Sequence, residues 1–339
     1  MSIKISFNCD PAFSNNRLFF AESRDNCLYP FHYLYQELKR NGFTLYTYDL
    51  LPNENADIVI DLDRVSKFVR ENDNIPKVLL AQESPVIVQE IHDPANFRFY
   101  DLVFGWNSDL LSKNYISLRT PVFSPGFDRG KEFVHRKLSC MIAGQKYVKH
   151  PNELYSKRLE IIRWYEKYSP HNFDLYGTGW EKGEKISNRA FFLEKIPSLR
   201  KFVYRGFTSF KGMVEKKYDT YKNYRFSFSL ENAEGYKGYI SEKIFDPMFA
   251  GCIPIYLGSI DIDRYVPKNC YISLSDFDSI ESLHKYIESL SAHDYSQYQT
   301  NISQYLCSYQ FKLFDPAYYA HQIVSEISEY WSRFMISNI

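Results

Sequence analysis

Between Tyr224 and Phe277 the chain reads YRFSFSLENAEGYKGYISEKIFDPMFAGCIPIYLGSIDIDRYVPKNCYISLSDF, a strand–helix–strand pattern interrupted by polar residues that packing alone does not require. Arg225 to Leu230 has the apolar character of a buried strand. It ends in Glu231-Asn232, and the loop that follows carries Gly235 and Gly238, which permit tight backbone turns. Ser241 is a good N-cap, with Glu242 and Lys243 in the first turn of the next helix. The free backbone N–H groups and the positive end of a helix favour an anion such as phosphate there. After Ala250-Gly251, Cys252 to Tyr256 forms an apolar strand stopped by Leu257-Gly258. One β-loop-α-β unit of this kind predicts a parallel sheet, whose ligands bind at the carboxyl ends of the strands, where ENAEGYKGYISEK lies.

A length of 339 residues predicts two domains of roughly 150 residues each. Lysine plus arginine number 41 and aspartate plus glutamate 41, so no overall field draws the protein onto nucleic acid or anionic lipid, and any anion site is local. The six cysteines, Cys9, Cys27, Cys140, Cys252, Cys270 and Cys307, include no CxxC pair, and three of them fall in apolar strand patterns. They read as reduced core thiols of a cytosolic protein. No apolar run approaches the ~20 residues of a membrane span, and MSIKISFNCD begins as a strand rather than as a signal peptide. The expectation is a cytoplasmic protein without an integral membrane segment, compatible with peripheral contact at the inner face of a membrane.

The first third alternates strands with helices: Ile3 to Phe7, a helix from Phe31 to Arg40, Thr44 to Leu50, Ile58 to Leu62, a helix near Val65 to Glu71, Lys77 to Ala81, and Leu102 to Trp106. Val122 to Arg136 has no clear period and reads as a linker. A second series follows: strand Leu138 to Ala143, helix Glu153 to Tyr168, strand Phe173 to Tyr176, a helix near Lys211 to Tyr221, the unit described above, strand Cys270 to Leu274, a helix from Ser279 to Leu290, and two more helices from Tyr295 to Phe334. The predicted class is α/β, with two Rossmann-like doubly wound domains facing a cleft, as in GT-B type glycosyltransferases. Residues 1–130 form the first domain, 131–310 the second, and 311–339 a C-terminal helix free to pack back on the first.

Candidate chemistry lies at strand ends. In KVLLAQESP, Glu83 follows an apolar strand and is stiffened by Pro85, which suits a general base facing the cleft. Its alternative role is to cap a helix starting at Val86. Arg158, on the helix that also bears Arg163, is placed to grip a diphosphate with paired hydrogen bonds, or else belongs to a solvated helix face. In the main motif, Glu231 and Asn232 crowd one strand end. Lys243 and the helix start would neutralise a departing nucleoside diphosphate, Glu242 would bond sugar or ribose hydroxyls, and Tyr239 would pack on the sugar or lend its hydroxyl. The eight histidines show neither HxxxH nor HxH, and the lone Asp261-Ile262-Asp263 reads as a cap of a short helix before Tyr265, so metal catalysis is not expected. GxSxG, GxxxxGK[ST] and an early GxGxxG are absent from the sequence.

On these residues the chain resembles the inverting alpha-1,3/4-fucosyltransferases. FSFSLENAEGYKGYISEKIFDPMFAGCIPIYLG is similar to that family's signature. QESP at Gln82 to Pro85 matches the place of the family's presumed catalytic glutamate, and the strand at Leu138 with the Arg158 helix gives a looser match. The resemblance implies Glu83 as general base, Arg158 and Lys243 as diphosphate ligands, and Asn232, Tyr239 and Glu242 as contacts to ribose or fucose. It also implies GDP-fucose as donor, an N-acetylglucosamine or glucose unit of a glycan as acceptor, no required cofactor and no essential divalent metal. Protein glycosylation or lipopolysaccharide synthesis would be the setting, and nucleic acid is not an expected partner. Departures are an extra residue between Glu234 and Lys237 and Gly144-Gln145 where the family often has a Ser-Asn-like pair. Two alternatives stand beside this reading: a transferase for another GDP-linked deoxysugar, and a non-catalytic glycan- or nucleotide-binding module.

Overall fold

A computed structural model describes residues 2–20, 22–110, 112–185 and 204–337 of the chain. Two parallel sheets dominate it. The first comprises β1 (Ile3–Asn8), β2 (Phe43–Thr47), β3 (Ile58–Leu62), β4 (Lys77–Ala81), β5 (Leu102–Gly105) and β6 (Tyr115–Ser117), ordered β2-β1-β3-β4-β5-β6. The second contains β7 (Lys137–Ile142) and β8 (Phe173–Tyr176). A short antiparallel pair, β9 (Glu184–Lys185) and β10 (Tyr204–Arg205), stands apart, and then β11 (Tyr224–Leu230), β12 (Ile253–Leu257) and β13 (Ile272–Ser273) complete the second sheet in the order β13-β12-β11-β7-β8. Strands such as β4 and β11 are buried along nearly their whole length, as expected where helices cover both faces of a parallel sheet. In each sheet the winding reverses direction beside the first strand, between β1 and β3 and again between β7 and β11. A crevice opens at the carboxyl ends of the strands at such a switch point.

Several boundaries differ from those expected. The strand expected over Thr44 to Leu50 stops at Thr47, because the amides of Leu50 and Leu51 turn back onto the Thr47 carbonyl at 2.9 and 3.1 Å. The helix expected near Lys211 to Tyr221 is confined to Lys217–Tyr221, since the backbone just before it pairs with the β8 edge instead. Leu175 donates to Ser209 O at 2.9 Å, and Lys211 donates to Leu175 O at 2.8 Å. Cys9, Cys140, Cys252 and Cys270 are buried, whereas Cys27 and Cys307, at the edges of helices rather than in strands, are exposed, contrary to the expectation of core thiols throughout. Among the described residues no helix is long and apolar enough to cross a membrane.

The last helix, Pro316–Ser337, returns to the first sheet. Tyr319, Ile323 and Ile327, four residues apart on one face, join Ala320 and Val324 in a core with Phe7, Leu34 and Leu38. The second sheet has its own core, to which the Glu242–Phe249 helix contributes Ile244, Phe245, Met248 and Phe249. Between the two lies a small apolar cluster of Val86, Trp106, Tyr155, Ala233 and Tyr239, with the Trp106 and Tyr239 ring centroids 4.7 Å apart.

Beside that cluster the Gly238 loop crosses from one half to the other. Arg119 Nη1 donates to Gly238 O at 3.2 Å, and Gly238 N donates to Asp261 Oδ1 at 2.7 Å and Ser259 Oγ at 3.0 Å. Gly238 has φ +79°, and a Cβ there would lie 1.9 Å from Arg119 Nη1 and 2.3 Å from Trp106 O. Gly238→Ala is therefore expected to lose about 2 kcal/mol or more of stability, through the backbone conformation and the clash together. A urea unfolding midpoint unchanged from that of the unaltered chain would contradict this.

Candidate active site

The helix start at the end of β11 is built around one carboxylate. Glu231 is fully buried, and its Oε1 accepts from Ser241 N at 2.8 Å while Oε2 accepts from Ser241 Oγ at 2.6 Å. Ser241 in turn caps the helix by accepting from Lys243 N. Lys243 Nζ lies 3.4 Å from Glu231 Oε2 and 3.6 Å from Glu242 Oε1. Burial pushes the Glu231 carboxyl up from its ordinary pKa, opposed by Lys243 and by the Ser241 hydrogen bonds. Burial also works against the Lys243 charge, but Glu242 and Glu231 outweigh it and push the ammonium pKa up, so Lys243 stays charged at neutral pH. Glu231 thus ties the strand end to the helix start.

A cavity of about 200 Å³ opens at the switch point between β7 and β11. Gly144, Thr178, Asn232 and Lys243 line it, and of its charged lining residues five are cationic and two acidic, a local excess suited to an anion. Gly177, with φ +129°, lets the loops after β7 and β8 touch, because a Cβ there would stand 1.9 Å from Ala143 O. Arg158 also lines the cavity and is only 3% exposed, which removes the solvated-face alternative. Its Nη2 donates to Leu230 O at 2.8 Å, Glu231 O at 2.7 Å and Asn232 Oδ1 at 3.2 Å. Among the described residues its other guanidinium nitrogens have no hydrogen-bond partner. Arg163, on the same helix, faces elsewhere and pairs with Glu166 and Glu184. Glu242 borders the cavity and lies 3.7 Å from Lys217 Nζ. Burial opposes its charge, but Lys243 and Lys217 lower the carboxyl to about 2.

Glu83 approaches from the other sheet, at the end of β4. Its Oε1 accepts from Ser84 N at 2.7 Å and, across the cleft, from Asn232 Nδ2 at 3.4 Å and Tyr239 Oη at 3.5 Å. Among the described residues its Oε2 has no hydrogen-bond partner. Residues 84–88 form a turn, with Ile87 N and Val88 N both on Ser84 O, so there is no helix at Val86 for Glu83 to cap. Tyr239 is 3% exposed, and its ring packs on Trp106 rather than standing open as a platform. Asn232 joins the two sides: its carbonyl oxygen accepts from Arg158 and its amide donates to Glu83.

The aspartates of the lone DxD do other work. Asp261 makes no side-chain cap to the Ile262–Arg264 turn, because its Oδ1 already accepts from Gly238 N and Ser259 Oγ, each at 2.7 Å. The Gly238 amide sits in a left-handed turn without a strand partner, and a nearby carboxylate satisfies it. Among the described residues no three His, Cys, Asp or Glu side chains converge as a metal-ion site. Sequence reasoning places Trp106 at a strand end and within a segment similar to the family, but does not single out Arg119 or Ser259 at this junction.

The profile of the glycosyltransferase family 10 (fucosyltransferase) C-terminal domain matches residues 153–313, which hold the β11 strand end and the capped helix. Residues 153–313 are thus similar to the C-terminal domain of glycosyltransferase family 10. It is 25% identical over 259 residues to the alpha-(1,3)-fucosyltransferase FucT of Helicobacter pylori, covering 71% of this chain and 50% of that protein. It is 32% identical over 68 residues to an alpha-(1,4)-fucosyltransferase of Arabidopsis thaliana, covering 20% of this chain and 17% of that one. The chain thus spans half the length of the Helicobacter relative and a smaller share of the Arabidopsis one. Among solved structures, an alpha1,3-fucosyltransferase superposes with a TM-score of 0.54 at 15% identity, over 88% of this chain and 80% of that one. A glycosyltransferase from Rickettsia africae gives 0.56 at 9% identity, over 98% and 99%. These likenesses establish the two-domain GT-B fold.

The Glu231 tether makes a direct demand on stability. Glu231→Ala leaves the Ser241 amide and hydroxyl without their buried acceptor, and is expected to cost about 2–4 kcal/mol. Glu231→Gln, which retains one acceptor oxygen, is expected to cost less. Denaturant unfolding of both variants checks the order, which an equal loss for the two would contradict.

Proposed function

We propose that this chain transfers L-fucose from GDP-fucose, with inversion, to a hydroxyl of an N-acetylglucosamine or glucose unit in a glycan. The observation that carries the reading is the Glu83 carboxylate standing across the cleft from a cation-lined cavity, bonded to Asn232 and Tyr239 and with Oε2 unpartnered among the described residues. In this reading residues 131–310 hold the donor and residues 1–130 the acceptor. The family match and the names of the fucosyltransferase relatives support fucose as the sugar. A solved alpha1,3-fucosyltransferase with GDP-fucose bound shares the fold.

The reaction follows from the positions. Glu83 Oε2 takes the proton of the acceptor hydroxyl as that oxygen forms its bond to fucose C1, and the bond from C1 to the β-phosphate oxygen breaks on the opposite face. The electron pair leaves with GDP. Lys243, the free edge of Arg158 and the N–H groups of the capped helix meet the growing diphosphate charge, in a site whose dipoles are already oriented. Glu242 accepts from ribose or fucose hydroxyls, while Asn232 and Tyr239 hold Glu83 Oε1 and leave Oε2 to react. The neutralising is assigned to side chains and the helix start, with no cofactor and no divalent metal required. The six unpaired cysteines support a cytoplasmic setting, where thiols stay reduced.

Calorimetric titration with GDP-fucose, GDP-mannose, GDP and UDP tests the donor. Micromolar GDP-fucose binding is expected, with GDP close behind and the other two much weaker. Equal binding of the two GDP-sugars would favour a transferase for another GDP-linked sugar, and absence of guanine-nucleotide binding would overturn the reading. Glu83→Gln is expected to lower turnover by about 10²–10⁴-fold with donor affinity kept. Unchanged turnover in that variant would leave only a role in binding.

A further inference from the structure

Gln82 and Glu83 lie just beyond the last paired residue of β4, where Ala81 faces Gly105 of β5. Their backbone groups have left the sheet, yet all four are hydrogen-bonded, and every partner is a side chain. Asp63 Oδ1 accepts from Gln82 N at 2.7 Å and from Glu83 N at 2.8 Å. Trp106 Nε1 donates to Gln82 O at 2.9 Å. His92 Nε2 lies 2.7 Å from Glu83 O, which makes that nitrogen the protonated one. Asp63 immediately follows β3 and Trp106 immediately follows β5, the two strands that flank β4. Where the ladder ends, these two side chains take the place of the missing strand backbones.

We infer that Asp63, with Trp106 and His92, clamps the Gln82–Glu83 backbone so that the Glu83 carboxylate is presented to the cleft, and that Asp63 is a positioning residue for transfer. The inference rests on Glu83 being the general base.

Three further observations support it. Asp63 is held at φ +51°, a left-handed conformation that a residue other than glycine keeps only when its surroundings impose it. Burial pushes its carboxyl up to about 7 against the two amide bonds, so a costly group is retained at this point. His92 is likewise a polar group kept buried here, its ring 4.9 Å from that of Trp106 and its Nδ1 without a hydrogen-bond partner among the described residues, so that Nε2 on Glu83 O is its one polar contact. A general base must sit within hydrogen-bond reach of the proton it removes, and a displacement of about 1 Å costs on the order of 10²-fold in rate.

The test compares Asp63→Ala, Asp63→Asn and Glu83→Gln in the full chain. GDP release is followed from GDP-fucose with an N-acetylglucosamine-terminated oligosaccharide, and GDP affinity is measured by calorimetry. Asp63→Ala is expected to lower kcat by about 10–100-fold, with GDP affinity and acceptor KM within about twofold. Asp63→Asn, whose amide oxygen still accepts both N–H groups, is expected to recover most of kcat. Should Asp63→Ala fail to fold, His92→Ala, which removes a single bond of the clamp, is expected to show the same split between kcat and affinity. Wild-type kcat in a folded Asp63→Ala, or a parallel loss of GDP affinity, would overturn the inference while Glu83→Gln remained inactive. Full turnover by Glu83→Gln, or none by the unaltered chain, would overturn the functional reading beneath it.

Discussion

The buried carboxylate of Glu231 is the contact on which the second half of the site depends. It joins the end of β11 to the first residues of the next helix through two hydrogen bonds to Ser241, and so decides where that helix begins. A buried, paired carboxylate is costly to desolvate and costly to disrupt. Here it fixes three things together: the direction of the helix N–H groups, the place of the Lys243 ammonium, and the edge of the cavity between β7 and β11. Arg158 closes the same corner from its helix by binding the Leu230 and Glu231 carbonyls.

The two halves meet through the small apolar cluster around Trp106 and through a short chain of polar contacts beside it. Arg158 holds the Asn232 amide oxygen, the Asn232 nitrogen reaches Glu83, and Tyr239 reaches the same Glu83 oxygen while packing on Trp106. A cation at the cavity is thereby connected to a carboxylate of the opposite sheet. The Gly238 loop, gripped by Arg119 on one side and by Asp261 and Ser259 on the other, sets the distance between the halves.

Much of this was legible because the informative signals are local. The apolar strand, the Ser241 cap and the charged first turn all lie within twenty residues, and the two series of alternating elements announced two parallel α/β halves. The polar ends of β4 and β11 marked Glu83, Asn232 and Lys243 as residues to watch. Other assignments needed distant partners. Arg158 meets carbonyls 72 and 73 positions away, so a helix-borne arginine had no visible use for burial. Asp261 resembled a cap until its amide partner in the Gly238 loop was seen. Asp63 drew no notice at all, since an aspartate after a strand is ordinary until the strand beside it ends in Gln82-Glu83.

By itself, then, the sequence determined the kind of sheet, the capped helix start and the identity of the groups available for chemistry, because periodicity, capping and turn chemistry act over a few residues. Only the tertiary structure decided which of those groups face one another. The parallel order that sets β3, β4 and β5 side by side brings Asp63, Glu83 and Trp106 to one edge, and the crossing of the Gly238 loop brings Asn232 and Tyr239 to Glu83. Those contacts span up to 156 positions of sequence, and no local preference encodes them. They exist because two separately wound sheets present the carboxyl ends of their strands to the same cleft.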